Sequence, residues 1–247
     1  MFVGYIHHIA TSIQVSSILQ SIAGETRAVL ERELPSGGPP PPVVVRPAGT
    51  PVAVLPAPRS GVLVQIDIAM LVRVADDCDV VLVSGVHLGD FVPEGAPLVE
   101  VHRGNADPLD ANRALRAFSL ARERTMQQDV AFGFRQLADI AARAMSPGVN
   151  DPTTAVQALD GMHDLLRRLS TRHLPTGVHA DGAGRPRLYL PQPRFEDYLS
   201  LALQQVDQYG ADSLQVQERI TALLTDVRAA ALPEYRPPLD ARLAKRS

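Results

Sequence analysis

A proline- and glycine-rich segment, PSGGPPPP at residues 35–42, divides this chain into parts that cannot belong to one regular element. Proline cannot continue a helix, because it lacks the amide proton and its ring clashes with the preceding turn. The paired glycines add backbone freedom. A helix that precedes this segment must therefore end near residue 34, and we predict a linker over residues 35–49.

The segment before the linker carries no formal charge until Glu25. A membrane span needs about 20 mainly apolar residues, but two histidines and several hydroxyl and amide side chains interrupt the apolar run. Residues 1–34 are instead predicted to form an amphipathic helix, because isoleucines recur near helical spacing. These isoleucines are Ile6, Ile9, Ile13, Ile18 and Ile22. The histidines, His7 and His8, are neighbours that point about 100° apart on a helix and would not share a metal ion.

The segment after the linker is predicted to be a β-rich module over residues 50–104. Its pattern indicates a short helix at 68–76 and strands at 62–67, 79–84 and 97–102. Within it, VHLGDFVPEGAPLVEV (86–101) resembles the barrel-sandwich half-motif of lipoyl, biotinyl and membrane-fusion-adaptor domains. The only lysine of the chain is Lys245, so no lipoyl or biotin cofactor is expected. A plain β-hairpin with glycine turns is the alternative.

The rest of the chain is predicted to be helical over residues 105–232, followed by a loose tail at 233–247. One hairpin is expected within the helical part, at 179–190. Apolar residues recur at helical spacing in five segments, at 109–124, 128–145, 151–170, 194–210 and 212–231. The predicted fold class is therefore α+β, with an N-terminal helix, a small barrel-sandwich-like β module and a helical C-terminal domain.

The stretch RAMSPGVNDPTTA (143–155) is the most polar candidate site. Ser146 precedes a proline, which ends a helix. Asp151 precedes Pro152 and is a strong N-cap for the next helix. Asn150 is explained by neither rule, and we expect its amide to bond backbone groups across the turn or the preceding helix. In the alternative interpretation, Ser146, Asn150 and Asp151 bind a ligand or another subunit.

Composition argues against several classes of function. The net charge is −3, aromatic residues make up 4% of the chain and there is no basic run, so a nucleic-acid partner is not expected. The single cysteine, Cys78, excludes an internal disulfide. The sequence contains no GxGxxG, P-loop, HExxH or GxSxG pattern. Asp76, Asp77 and Asp79 are interpreted as a solvated turn or a weak cation site, and no metal or cofactor is assigned.

Three blocks together resemble a known bacterial family. They are YIHHIATSIQVSSIL (5–19), SGVLVQID with GDFVPEGAPLVEV (60–101), and RERTMQQDVAFGFRQLADIAARAMSPGVNDPTTA (122–155). The family is that of predicted membrane proteins with a domain of unknown function, number twenty-two fifty-four. The resemblance implies transmembrane helices before the IHHIA block, and we expect this chain to correspond to the part of the family that follows them. It also implies that His7 and His8 lie close to the membrane and that the chain is a soluble part on the cytoplasmic side.

Two functional hypotheses follow. In the first, the chain is the non-enzymatic soluble domain of an integral membrane protein, forms homo-oligomers, and supports or regulates a pore or transporter. The apolar face of residues 1–24 is then covered by another subunit or by the absent spans. In the second, the chain is a small-ligand sensor or an enzyme. The turn at 146–151 then acts together with a charged set, Arg122, Arg124, Asp129 and Arg135.

Overall fold

The computed structural model describes residues 2–37, 47, 49–102 and 109–246, with side chains from Gln14 onwards. The chain forms two compact units. The helical unit consists of Met1–Pro39, Val130–Leu174 and Pro193–Ser247, and the β unit of Pro40–Asp129 and Pro175–Gln192. Each unit is therefore assembled from segments that are separated in the sequence.

Helices and strands are interspersed along the chain within the described residues. The helices are α1 (Phe2–Glu33), α2 (Ile68–Asp77), α3 (Ala111–Arg116), α4 (Val130–Ala144), α5 (Pro152–Ser170), α6 (Phe195–Tyr209), α7 (Leu214–Ala230) and α8 (Arg236–Ala244). A 3-10 turn at Pro233–Tyr235 precedes α8. The strands are β1 (Ala53–Pro56), β2 (Gly61–Ile66), β3 (Val81–Val83), β4 (Phe91–Val92), β5 (Pro97–His102), β6 (Phe118–Ala121), β7 (Val178–Ala180) and β8 (Pro186–Tyr189).

The β unit contains two sheets that share one hydrophobic core. The five-stranded sheet has the order β1-β5-β3-β8-β7, and the three-stranded sheet has the order β4-β2-β6. Leu82 and Val99 of the first sheet and Leu63 and Phe118 of the second belong to the same buried cluster. The sheets do not close into a barrel. The predicted barrel-sandwich-like module is therefore corrected to two open sheets.

The segment 86–101 is not a plain hairpin either. Its two strands, β4 and β5, lie in different sheets, because β4 pairs with β2 while β5 pairs with β1 and β3. The predicted hairpin near 179–190 is present as β7 and β8, and it adds to the β unit. Its second strand pairs in parallel with β3, a contact that no local sequence pattern indicates.

Two segments differ from the sequence-based expectation. The predicted helix at 109–124 is a short helix, α3, followed by strand β6, in which Phe118 and Leu120 are buried and Ser119 is exposed. Burial at every second residue is the pattern of a strand, and the three-residue step from Leu115 to Phe118 imitated helical spacing. The tail expected to be loose from residue 233 forms a 3-10 turn and α8, because Leu239 is fully buried.

The helical unit is built around α4 and α5, and α1 packs against both. The buried face of α1 carries Leu19, Thr26, Val29 and Leu30. These residues follow the helical repeat, whereas Ile18, part of the predicted stripe, is 50% exposed. The apolar face of residues 1–24 is expected to lie against another subunit or the absent spans, but Leu19 of this stretch is buried within the chain.

Helices α1 and α4 approach closely where Thr26 meets Gly133. The Thr26 side chain is fully buried, and its hydroxyl donates a hydrogen bond of 2.6 Å to the Ile22 carbonyl. A β-carbon placed on Gly133 would lie 1.8 Å from the Thr26 Oγ1 atom. Only glycine therefore allows this crossing. On α5, by contrast, a β-carbon on Gly161 would lie 3.4 Å from the Ala23 β-carbon, which is an ordinary contact.

We predict that Gly133→Ala lowers the free energy of unfolding by about 1–3 kcal/mol, the usual range for overpacking a core. The matched control is Gly161→Ala, also a helical glycine on the α1 interface. It is expected to leave stability unchanged or to raise it by up to about 1 kcal/mol through helix propensity. Chemical denaturation followed by circular dichroism measures both values. Equal effects of the two substitutions would contradict the proposed close approach.

Candidate functional site

The turn between α4 and α5 is closed by backbone hydrogen bonds. The Ser146 carbonyl accepts from the amides of Val149 and Asn150 at 3.0 and 2.9 Å. The Asp151 amide donates to the Ala144 carbonyl at 2.7 Å, and the Ser146 hydroxyl donates to the Arg143 carbonyl at 2.7 Å. The serine hydroxyl thus helps to satisfy the C-terminal end of α4, as a helix terminus requires.

Asp151 caps α5 in the manner that the sequence predicts. Its Oδ1 atom accepts from the Thr154 amide at 3.1 Å, and its Oδ2 atom accepts from the Thr154 hydroxyl at 2.7 Å. Pro152 occupies the first turn of the helix, where a missing amide proton costs nothing. Both carboxylate oxygens therefore take part in starting the helix.

Asn150 has a different role from the one expected. Its φ angle is 48°, in the left-handed region, where asparagine is tolerated better than most residues other than glycine. This conformation reverses the chain so that the Asp151 amide reaches Ala144. The side chain is exposed, and among the described residues it makes no hydrogen bond. The expected amide bond across the turn is therefore corrected to a backbone role.

The charged residues of the second hypothesis are divided between the units. Arg122, Arg124 and Asp129 belong to the β unit, whereas Arg135 belongs to α4 in the helical unit, as does the turn at 146–151. His7 and His8 lie on α1, and their side chains fall outside the described part of the chain.

Arg124 and Asp129 form a tight ion pair. The Arg124 Nε atom lies 2.6 Å from Oδ2 of Asp129, whose side chain is only 4% exposed. Gly89, with a φ of 86°, lies beside this guanidinium, and a β-carbon there would come within 2.2 Å of it. The guanidinium therefore occupies the space beside Gly89 where a side chain would begin. Its charge neutralises a carboxylate that would otherwise be buried at high cost.

A second buried ion pair in the β unit was not predicted. Arg187 on β8 lies with its side chain 5% exposed, and its Nε atom is 2.9 Å from the Oδ2 atom of Asp181. The same guanidinium contacts Asp79 at 2.8 Å and Asp76 at 3.0 Å. Arg185 also binds Asp181, at 2.8 Å. Arg187 on β8 and Arg185 just before it therefore hold the end of α2 and the turn that follows, where the sequence suggests a solvated turn or a cation site.

Hydrogen bonding keeps Asp181 ionised despite its burial. Burial alone would raise the pKa of this carboxyl, but the backbone amide of Arg185 and the side chain of Arg187 donate to it and bring the pKa well below its usual range. Further donors are the amide of Ala183 and the side chain of Arg185. The carboxylate thus fastens the turn between β7 and β8.

Asp79 ends α2 in a Schellman motif. Its φ angle is 49°. Its amide donates to the Asp76 carbonyl at 3.1 Å, and the Val80 amide donates to the Ala75 carbonyl at 2.9 Å. Glycine is the usual residue at this left-handed position. The carboxylate bound to Arg187 explains why an aspartate can stand there instead.

A third arginine closes the end of α1. The side chain of Arg172, just after α5, is 6% exposed, and its Nη1 atom donates to the carbonyls of Leu34 at 2.6 Å and Leu30 at 3.3 Å. Its Nη2 atom lies 2.7 Å from the Glu31 carboxylate. The hydrogen bond from Arg172 lowers the pKa of Glu31, although partial burial opposes this shift. The last carbonyls of α1 thus find donors on a residue that follows α5, as buried helix ends require.

The polar side chains of the turn at 146–151 and of the three arginine clusters bind helix ends, turns and ion-pair partners. Among the described residues, no three histidine, cysteine or carboxylate side chains come close enough to share a metal ion. Local rules located the turn at 146–151, because capping depends on neighbouring residues. The contacts of Arg187 and Arg172 are not predictable from local patterns, because most of their partners are remote in sequence. The one local sign of the Arg187 contacts is the position of this arginine within a short predicted strand, two residues before Tyr189.

We predict that Asn150→Ala lowers the free energy of unfolding by about 1–2 kcal/mol, because alanine is strained in the left-handed conformation. The control is Asn150→Gly, which removes the same amide but accepts this conformation and should keep wild-type stability. Thermal and denaturant unfolding distinguish the two. If Ala and Gly destabilise equally, the side-chain amide matters and the backbone explanation fails.

Comparison with known proteins agrees with the resemblance noted in the sequence. Residues 1–226 match the DUF2254 family, described as predicted membrane proteins. Uncharacterized proteins of Mycobacterium bovis and Mycobacterium tuberculosis are each 33% identical to the chain over 234 residues, or 92% of its length. The chain spans 44% of the length of each relative. No solved structure matches it.

Within the described residues, no helix combines the length and apolar character that a membrane crossing requires. The family match nevertheless covers most of the chain, from α1 into α7. The chain therefore belongs to the DUF2254 family of predicted membrane proteins.

Proposed function

We propose that this chain is the non-enzymatic extramembrane part of an oligomeric membrane protein, and that it supports or regulates a pore or transporter. The family is one of predicted membrane proteins, and the chain corresponds to less than half of its mycobacterial relatives. The parts of those relatives that this chain does not match are proposed to be the membrane-spanning segments with which it acts. The side of the membrane is proposed to be cytoplasmic.

The observation that carries this proposal is the continuity of α1. The helix runs without a break over 32 residues, a length of about 48 Å at 1.5 Å per residue. Its charge-free stretch ends at Gly24, and the charged residues that follow lie in the half that packs on the helical unit. A single helix of this kind can carry a displacement from one end to the other.

The second half of α1 is fixed in the helical unit at several points. Thr26 fits against Gly133, and Arg172 binds the last carbonyls of the helix. Nearer the middle, the Ser16 hydroxyl donates to the Gln157 side chain at 2.8 Å. Contacts on two other helices, α4 and α5, leave little freedom for α1 to move alone. A shift of α1 would therefore move the unit as a whole.

The engaged state of the polar turn supports a role without catalysis. The Ser146 hydroxyl donates to a backbone carbonyl, and both oxygens of Asp151 cap α5. A nucleophilic serine needs a base within hydrogen-bond distance. The Ser146 hydroxyl instead donates to the backbone carbonyl of Arg143. These contacts favour a structural role for the turn.

Assembly is proposed to occur through the exposed side of α1. Ile18 is 50% exposed although its neighbour Leu19 is buried against the unit. Among the described residues of α1, Ile18 is the exposed large apolar side chain, and we take it as the point of contact with another copy. We therefore expect a homo-oligomer in which this side of α1 is covered.

Light scattering combined with size exclusion tests the assembly. We expect the wild-type chain to exceed the monomer mass, and Ile18→Glu to shift it toward the monomer because a charge is buried at the contact. The control is Gln20→Glu, which adds the same charge at another exposed position of α1 and should leave the mass unchanged. A monomeric wild-type chain would contradict the proposed oligomer.

Flux measurements test the regulatory role. The full-length Mycobacterium tuberculosis relative would be reconstituted in liposomes and compared with a version that lacks the region matched by this chain. We expect ion or solute flux whose rate changes when the region is removed. Absence of flux in both versions, or identical flux, would contradict the proposal.

A further inference from the structure

A polar pocket lies inside the helical unit between α6, α7 and α8. It has a volume of about 490 Å³. Cationic side chains from α8 and the C-terminal end line one wall, namely Arg242, Lys245 and Arg246. Ser200, Gln204 and Asp207 of α6 line another. The family match ends at residue 226, so the cationic wall lies beyond the matched residues.

Arg242 is the unusual member of this wall. Its Nη2 atom donates to the Ser200 hydroxyl at 3.1 Å, and among the described residues no carboxylate lies within ion-pair distance of it. Burial lowers the pKa of Arg242, and the more distant Asp207 and Glu196 only partly offset this effect. A guanidinium has five donors, so most of those on Arg242 are free to bind a ligand.

The neighbouring arginine is already engaged. Arg246 forms an ion pair with Asp207, and its Nη1 atom donates to the Gln217 side chain at 2.7 Å. Lys245 is exposed at the edge of the pocket. The lining contains three cationic groups against the two carboxylates of Glu196 and Asp207. The side chains that line the pocket therefore carry one more positive than negative charge. Arg242 is the half-buried cation among them that has no ion-pair partner in the described part of the chain.

We propose that this pocket binds a small phosphate-bearing anion, with Arg242 as its principal contact. A guanidinium presents donors in a planar fork that suits an oxyanion, and such charge-assisted hydrogen bonds are among the stronger ones in proteins. Lys245 and Ser200 also line the pocket, and their ammonium and hydroxyl groups can donate to further oxygens of a phosphate. The phosphate belongs either to a free phosphate compound or to a lipid headgroup. This site is separate from the turn at 146–151.

Calorimetric titration of the full chain with inorganic phosphate, at fixed ionic strength, tests the proposal. We expect Arg242→Gln to weaken binding at least tenfold, and Arg242→Lys to weaken it less because the charge remains. The control is Arg143→Gln, which removes the same charge from an exposed position of α4 in the same unit and should bind as the wild type does. Melting temperatures establish that each variant is folded.

Sedimentation with vesicles distinguishes the two sources of phosphate. Vesicles of phosphatidylcholine with phosphatidic acid would be compared with phosphatidylcholine alone. Binding of inorganic phosphate that requires Arg242 supports a free phosphate ligand. Binding only to the phosphatidic acid vesicles, again requiring Arg242, supports a lipid headgroup. If neither form of binding depends on Arg242, the proposal is overturned.

Discussion

The crossing of α1 over α4 at Thr26 and Gly133 is the contact on which the helical unit depends. It brings a fully buried threonine against a position where even a β-carbon cannot fit. That close approach places Val29 and Leu30 in the core and brings the end of α1 to the Arg172 side chain. Packing this tight tolerates little change in volume. The first helix is thus a structural part of the unit, and this is why we propose that it transmits movement.

Most of the long helices are predictable from local features of the sequence. The predicted segments 128–145, 151–170, 194–210 and 212–231 agree with α4, α5, α6 and α7 to within two residues at each end. Apolar spacing and capping residues are local signals, and such signals were sufficient there. Strand β6 was missed because Leu115 and Phe118 imitate a helical repeat, while pairing with β2 determines the actual structure. The parallel pairing of β3 with β8 likewise depends on residues about a hundred positions apart.

The polar sites show the same division between local and remote causes. The cap at Asp151 was predictable because its partner is three residues away. The backbone role of Asn150 was missed because a left-handed φ is not visible in composition. The buried pair of Arg187 with Asp181, and the uncompensated Arg242, follow from how separate elements meet. Asp79 combines a local and a remote cause. Its left-handed backbone position is one that usually takes glycine, and its carboxylate binds Arg187, which is distant in sequence.

Hydrogen exchange measured by mass spectrometry on the intact chain tests most directly whether α1 belongs to the helical unit. Amides in the second half of α1, from Ala23 to Glu33, should be protected to the same degree as those of α4 and α5, because they open only when the whole unit unfolds. Exchange of this segment much earlier than α4 and α5 would mean that α1 detaches on its own. That result would contradict the proposed role of α1 as a rigid connection.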